Sequence, residues 1–243
     1  MTGGWQAKRF WKKADVRKAD GGWEVVLDDR PIRTPGKHPL ILPTRALAEA
    51  IAQEWDAQTD VIDPGSMPMT RAANSAIEKV RPQFNDVASM LAEYGGTDLL
   101  SYRADEPEEL IARQAKGWDP LIDWSARELQ APLKITHGVI PVAQDEAALA
   151  KLRARLDTLD DFGLTALHDL VTLPGSLLLG LAVITGRLDA ETAHELSRID
   201  EQYQAERWGA DEEADEAAAN RLTAMRNAER FWKLTRPGAD VPA

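Results

Sequence analysis

The amino-acid sequence predicts an α+β protein, a small N-terminal antiparallel β domain followed by a larger all-helical C-terminal domain. Three observations lead there. Between residues 8 and 42, short runs of β-branched and aromatic residues alternate with Gly, Pro and Asp, the pattern of a strand meander. From Thr44 onward the apolar residues recur at helical spacing instead. The breaker Asp63-Pro64-Gly65-Ser66-Met67-Pro68 then separates the first helix from the rest, and sets expected domain bounds of 1–62 and 63–243.

The strand region divides at its turns. Arg9-Phe10-Trp11 and Ala14-Asp15-Val16 flank Lys12-Lys13, and Gly21-Gly22 is a turn ahead of Trp23-Glu24-Val25-Val26-Leu27. Asp28-Asp29-Arg30 turns the chain into Pro31-Ile32-Arg33-Thr34, and Pro35-Gly36-Lys37 turns it again into Pro39-Leu40-Ile41-Leu42. Four short strands of this kind make a small antiparallel meander, which needs packing against later elements to be stable.

The helices follow in order. Pro43-Thr44 starts a helix whose Leu47, Ala50, Ile51 and Trp55 share a face, ending near Gln58. Met69, Ala72, Ala73, Ala76, Ile77 and Val80 mark the next, with Pro82 at its end; Val87, Met90, Leu91 and Tyr94 mark another, stopped by Gly95-Gly96-Thr97-Asp98. Asp105-Glu106-Pro107-Glu108-Glu109 reads as a helix start with Asp105 as cap, an early Pro and carboxylates at the positive helix end. That helix carries Leu110, Ile111, Gln114, Trp118, Leu121, Ile122 and Trp124, with Pro120 as a kink or restart. Residues 132–141 read as an extended, irregular connection. Leu149, Leu152, Leu156 and Leu159 form a stripe, and Gly163–Leu173, Pro174–Thr185, Thr192–Trp208 and Asn220–Trp232 read as further helices. The tail 236–242 reads as frayed.

Composition excludes several classes. The 243 residues carry 29 basic and 40 acidic side chains, a net charge of −11, which disfavours general binding to nucleic acid or anionic membrane. There is no cysteine, so disulfides and thiolate metal sites are ruled out. Met1-Thr2-Gly3-Gly4-Trp5 holds no apolar run of signal-peptide length, and Leu177–Ile184 is too short to span a bilayer. The expectation is a soluble cytoplasmic monomer without stable membrane insertion.

Catalytic signatures are sparse. Neither a phosphate loop nor a dinucleotide fingerprint occurs. His38, His137, His168 and His194 lack metal-ligand spacing, so no metal or cofactor is expected. His168-Asp169 is a weak candidate pair, because neighbours on a helix are expected to point apart. Trp118 and Trp124 straddle Pro120, and a bent helix would turn both toward one groove; an unrecognised carboxylate site there is the enzymatic alternative.

The most informative stretch is Leu196–Gly209. As a helix it places Leu196, Ile199 and Tyr203 on one stripe, while Glu201, Ala205 and Trp208 fall on nearly the opposite side. A carboxylate and an indole on the face the core does not claim suit a protein contact, since Trp is enriched at interface hot spots. The competing reading packs Trp208 against another helix and leaves Glu201 solvated.

Several separated motifs, in order, resemble one family. They are Phe10-Trp11 with the Val25–Thr34 hairpin, Pro43–Trp55, Pro68-Met69-Thr70-Arg71, Tyr94–Arg103, Gln114–Pro120, Gly163-Leu164 and Leu196–Gly209. Together they resemble the assembly chaperones of F-type ATP synthase that bind the α subunit of the catalytic head, over residues 9 to 213. The resemblance implies the two-part architecture above and a non-enzymatic role. The chaperone would bind unassembled α subunit and prevent its aggregation until β subunits replace it, in the bacterial cytoplasm or, for eukaryotic members, the mitochondrial matrix. It also ties function to an acidic residue within Asp200–Trp208. Glu201 and Glu206 are both candidates, with Asp200, Arg207 and Trp208 beside them; the helical wheel favours Glu201. The acidic segment after Gly209 and the tail after Lys233 match less well. The remaining alternative is a general protein-binding adaptor.

Overall fold

A computed structural model describes residues 8–138, 140–209 and 211–238. The chain forms β1 (Ala14–Ala19), β2 (Gly22–Leu27), β3 (Arg30–Pro31), α1 (Arg45–Asp56), α2 (Pro68–Ser75), α3 (Phe84–Glu93), β4 (Tyr102–Arg103), α4 (Glu108–Arg127), β5 (Thr136–His137), α5 (Glu146–Leu156), α6 (Asp161–Thr172), α7 (Leu177–Ile184), α8 (Ala190–Ser197), α9 (Ile199–Trp208) and α10 (Glu212–Leu234). A small N-terminal antiparallel sheet is thus followed by a mostly helical region, the predicted fold class. Among the described residues no helix is long and apolar enough to cross a membrane. Two compact units form: Met1–Gln83 with Asp161–Thr165 and Arg230–Ala243, and Phe84–Asp160 with Ala166–Glu229. The break expected after residue 62 falls inside the first. Part of the frayed tail and the Met1–Trp5 opening lie outside the described residues.

In the first unit β1, β2 and β3 pair antiparallel in that order, with Ala19 opposite Gly22 across the first turn and Leu27 opposite Arg30 across the second. Gly22 approaches the backbone of Leu42 so closely that a Cβ would sit 2.3 Å from its carbonyl oxygen. The fourth strand expected at 39–42 is reduced to single bridges, Trp23 with Leu42 and Arg33 with Pro39. Pro31, Pro35, Pro39 and Pro43 each lack the N–H that a continuous ladder needs. Helix α1 covers the sheet, and Val25, Leu42, Leu47 and Ile51 have no exposed surface. Thr44 caps α1 by accepting from the Leu47 amide at 3.1 Å, as its sequence position predicts. Arg9 closes the other end, donating to the carbonyls of Asp56 and Gln58 at 2.6 and 2.5 Å. Glu54 accepts from the Met69 and Thr70 amides and the Thr70 hydroxyl at 2.7–2.8 Å, which fastens α2 to α1 across the breaker. Residues 76–80 form a widened turn, with the Arg81 amide bonding the Ala76 carbonyl. It stands directly before Pro82, whose ring would clash with a regular turn.

The second unit is organised by Asp98. Its carboxylate has no exposed surface and accepts from the Ser176 hydroxyl at 2.7 Å, the Leu178 amide at 3.0 Å and the Leu100 amide at 3.1 Å. Ser176 in turn accepts from the Leu179 amide at 3.1 Å as the cap of α7. The buried α7 therefore begins on a carboxylate brought from a segment almost eighty residues earlier. Helix α7 packs on α4 and α8, and α4 on α9.

Several local expectations are corrected. Helix α4 begins at Glu108 with Pro107 as its cap residue, so Asp105 does not cap it. Pro120 lies inside a continuous α4 and does not restart it. The connection 132–141 is not wholly irregular: Thr136–His137 pairs parallel with Tyr102–Arg103, while Val139 lies outside the described residues. The acidic run is helical, because α10 starts at Glu212 and not Asn220, placing Glu212, Glu213 and Asp215 in its favourable first turn. The helix expected over Thr192–Trp208 is two helices broken at Arg198 (φ −110°, ψ 14°). The Trp118 indole donates to the Leu196 carbonyl at 2.8 Å, occupying the acceptor that a continuous helix would offer to Asp200.

Burial raises the Asp98 carboxyl from 3.8 to about 6, against the lowering effect of its hydrogen bonds. A group that binds its proton more tightly when folded contributes stability below its unfolded pKa and loses it as pH rises through the folded value. Unfolding by urea should therefore show the wild type losing about 2 kcal/mol relative to Asp98→Asn between pH 4 and pH 7. A difference that stays constant over that range would refute the buried-carboxylate account.

Candidate partner-binding surface

The surface is built where α8 and α9 cross α4, all within the second unit. Gly117 permits the approach: a Cβ there would lie 2.8 Å from Ile199 Cδ1 and 2.9 Å from Leu196 Cδ2. Three α4 side chains then fasten the crossing. Buried Gln114 donates to Asp200 at 2.7 Å and accepts from the Ala104 amide at 2.9 Å. Trp118, fully buried, holds the Leu196 carbonyl. Arg113 forms two contacts with Glu206, at 2.8 and 2.7 Å.

The last pair belongs to a longer network. Arg113 also meets Glu109 at 2.8 Å, and Glu109 receives Arg207 at 2.6 Å. The guanidiniums of Arg113 and Arg207 lie 5.3 and 5.1 Å from the ring centre of Tyr203, the one buried side chain of α9. Arg113 holds Glu206 below the usual carboxylate range, and Arg207 with Arg113 does the same to Glu109. On the other side of α9, Glu201 meets Arg198 at 2.8 Å and Arg221 of α10 at 3.0 Å. Burial works to raise the Glu201 carboxyl, but the two arginines outweigh it and leave it lowered. His194 is buried beside this pair, its basicity lowered by burial first and then by Arg198 and Arg221.

Each residue singled out from the sequence can now be placed. Asp200, Glu201, Glu206 and Arg207 all have partners within the chain, so Glu201 is not simply solvated. The Trp208 side chain is 79% exposed and makes no hydrogen bond or ring contact with the described residues, so it does not pack into a neighbouring helix. Ile199 and Tyr203 do face α4, but Leu196 belongs to α8. Sequence reasoning missed Glu109, Arg113, Arg198 and Arg221. Glu109 and Arg113 carry an i, i+4 ion-pair signature, yet their partners on α9 lie more than ninety residues away.

The groove of the enzymatic alternative takes a different form. Trp118 is buried and only Trp124 lines the cleft beside Pro120, below Arg187 at 5.5 Å from its ring centre. Both indoles are committed, Trp118 to Leu196 and Trp124 to Glu128 at 3.1 Å. His168 and Asp169 do not point apart: the imidazole Nδ1 lies 2.9 Å from the carboxylate, because a long side chain can curl sideways along the helix surface. Both remain about half exposed. Among the described residues no cluster of three or more His, Asp or Glu is placed to hold a metal.

Residues 8–126 match the family model described as ATP12 chaperone protein. The crystal structure of Atp12 from Paracoccus denitrificans is 70% identical, with a TM-score of 0.93 over 95% of this chain and 99% of that one. A protein from Agrobacterium tumefaciens is 40% identical, with a TM-score of 0.90 over 94% of this chain and 86% of its own. The mitochondrial protein atp12 of Schizosaccharomyces pombe is 26% identical over 221 residues, 86% of this chain and 76% of its own.

The carboxylates of Glu109, Glu201 and Glu206 are all lowered, so their pairs contribute above the ordinary carboxylate range and are lost as pH falls through the folded values. Arg113→Gln removes the shared cation of two of them. Hydrogen exchange should show α9 amides opening about tenfold faster in this variant, with little change in thermal midpoint, because exposed pairs order a local element more than they stabilise the fold. Unchanged exchange in α9 would remove Arg113 from its fastening.

Proposed function

The chain belongs to the ATP12 family of ATP synthase assembly chaperones, and from that membership we propose that it binds the unassembled α subunit of the F-type catalytic head. In this reading it keeps the subunit from aggregating until β subunits take its place. The observation that carries the reading is Trp208, an indole 79% exposed at the end of a helix whose other functional side chains are held in place. An unassembled subunit presents apolar surface that is otherwise buried. An indole brings a large contact area with only two side-chain torsions to order, which makes it a low-entropy anchor for such a surface.

The carboxylates act around that anchor. Glu201 and Glu206 keep about half their side-chain surface exposed while paired, so each has oxygen surface for a Lys or Arg at the rim of the client's apolar patch. The binding is non-catalytic, by one chaperone monomer, and the reading implies a bacterial cytoplasmic location. Exchange for β subunits requires modest affinity, which suits an interface of one exposed anchor and rim charges.

Co-expression of the chain with α and with β subunits of its own ATP synthase, separately, followed by affinity capture, tests the proposal. Soluble α and not β should be captured. Trp208→Ala should lower α capture by tenfold or more, about the cost of losing an aromatic hot spot, with the thermal midpoint unchanged. Replacing Glu201 and Glu206 by Gln, singly and together, separates the carboxylates; undiminished capture by the double variant removes them from the interface. Capture of neither subunit sinks the proposal, and equal protection of unrelated aggregating proteins would make the chain a general adaptor.

A further inference from the structure

Beside the fastened side of α9 lies a cleft of about 400 Å³, lined by Arg113, Lys116, Gly117, Leu196, Ile199 and Gln202. That volume lies within the ~300–1,000 Å³ range of clefts that seat ligand-sized groups. Its floor is apolar. Gly117 contributes no side chain, and Leu196 and Ile199 are only half-buried, so each keeps surface toward the opening. The rim is polar, and its groups differ in what they have to bond. Arg113 is committed to Glu109 and Glu206. The side chains of Lys116 and Gln202 are exposed and make no hydrogen bond or ion pair with any described residue.

The charge at this rim runs against the character of the chain. With 40 acidic and 29 basic residues the protein carries a surplus of carboxylates. The neighbouring carboxylates at Glu109, Glu201 and Glu206 are nonetheless each matched to arginine, and the one cation of this cleft left without a counter-ion is Lys116. A partner that buries apolar surface on the floor would complete the site with a carboxylate of its own. The surrounding negative charge would repel an acidic surface not aligned with Lys116, which confers selectivity as well as attraction.

We propose that this cleft is a docking groove for a segment of the α subunit that carries an apolar side chain next to an Asp or Glu. The apolar side chain seats on Leu196, Ile199 and the bare backbone of Gly117. The carboxylate pairs with Lys116, and the Gln202 amide bonds the segment's backbone. The assignment rests on the proposed function, and it adds a second point of grip on α9, six residues or about 9 Å of helix rise before Trp208.

The test uses the full chain co-expressed with α subunit, with Lys116→Arg, Lys116→Gln, Lys116→Glu and Gln202→Trp compared with wild type by affinity capture and thermal midpoint. Lys116→Arg should capture like wild type, Lys116→Gln about threefold less, and Lys116→Glu about tenfold less, the gradation a rim charge produces. Gln202→Trp should fill the cleft and lower capture at least as far. Because both residues are exposed and unpaired, the midpoints should not move. A photo-crosslinking residue at Gln202 should label an α segment with Asp or Glu among apolar residues. Undiminished capture by Lys116→Glu overturns the groove while leaving the proposed function standing, as does labelling of a segment bearing only Lys or Arg. Failure of the wild type to capture α overturns both.

Discussion

A carboxylate buried without a cation is the constraint from which the second unit follows. Asp98 satisfies its oxygens with a hydroxyl and backbone amides and so holds the start of α7 to the turn after α3. Desolvating that charge is costly, and it is tolerated because the donors at a helix start would otherwise lack partners themselves. Helix α7 is apolar on every side and buried from Leu177 to Val183, so where it starts determines where α4 and α8 can lie. The position of α9 then depends on α4.

The fastening of α9 works by a different economy. It buries only Tyr203, so apolar burial contributes little to holding it. Its position is instead specified by polar contacts made in several directions: Gln114 to Asp200, Arg113 to Glu206, Glu109 to Arg207, and Arg221 to Glu201. Each exposed pair is worth little by itself. Together they restrict one short helix to one orientation, at low total stability, leaving its outer surface free for another molecule.

This division of labour suits the proposed function, in which the chain holds a client and later gives it up. A large apolar interface would bind too tightly to be displaced by the proper neighbour. An exposed indole and an apolar cleft with an unpaired lysine offer limited burial on a helix whose own orientation is fixed beforehand. The carboxylates identified from the sequence contribute first to that orientation, and their remaining exposed surface faces outward.

Much of this was legible in the order of residues. Helical spacing located the helices, Thr44 sits where a cap belongs, and the apolar stripe assigned Tyr203 inward and left Trp208 off the core face, where the structure exposes it. Those features are local, set by side-chain periodicity and by the few residues that satisfy a helix end. What the sequence could not determine required distant partners. Pro107 rather than Asp105 caps α4, Trp118 cuts one expected helix into two, and Glu201 and Glu206 are drawn into pairs with Arg221 and Arg113. An ion pair or an indole hydrogen bond across many residues leaves no period in the chain; only the packing of α4, α8, α9 and α10 decides which charges meet and which, like Lys116, are left open.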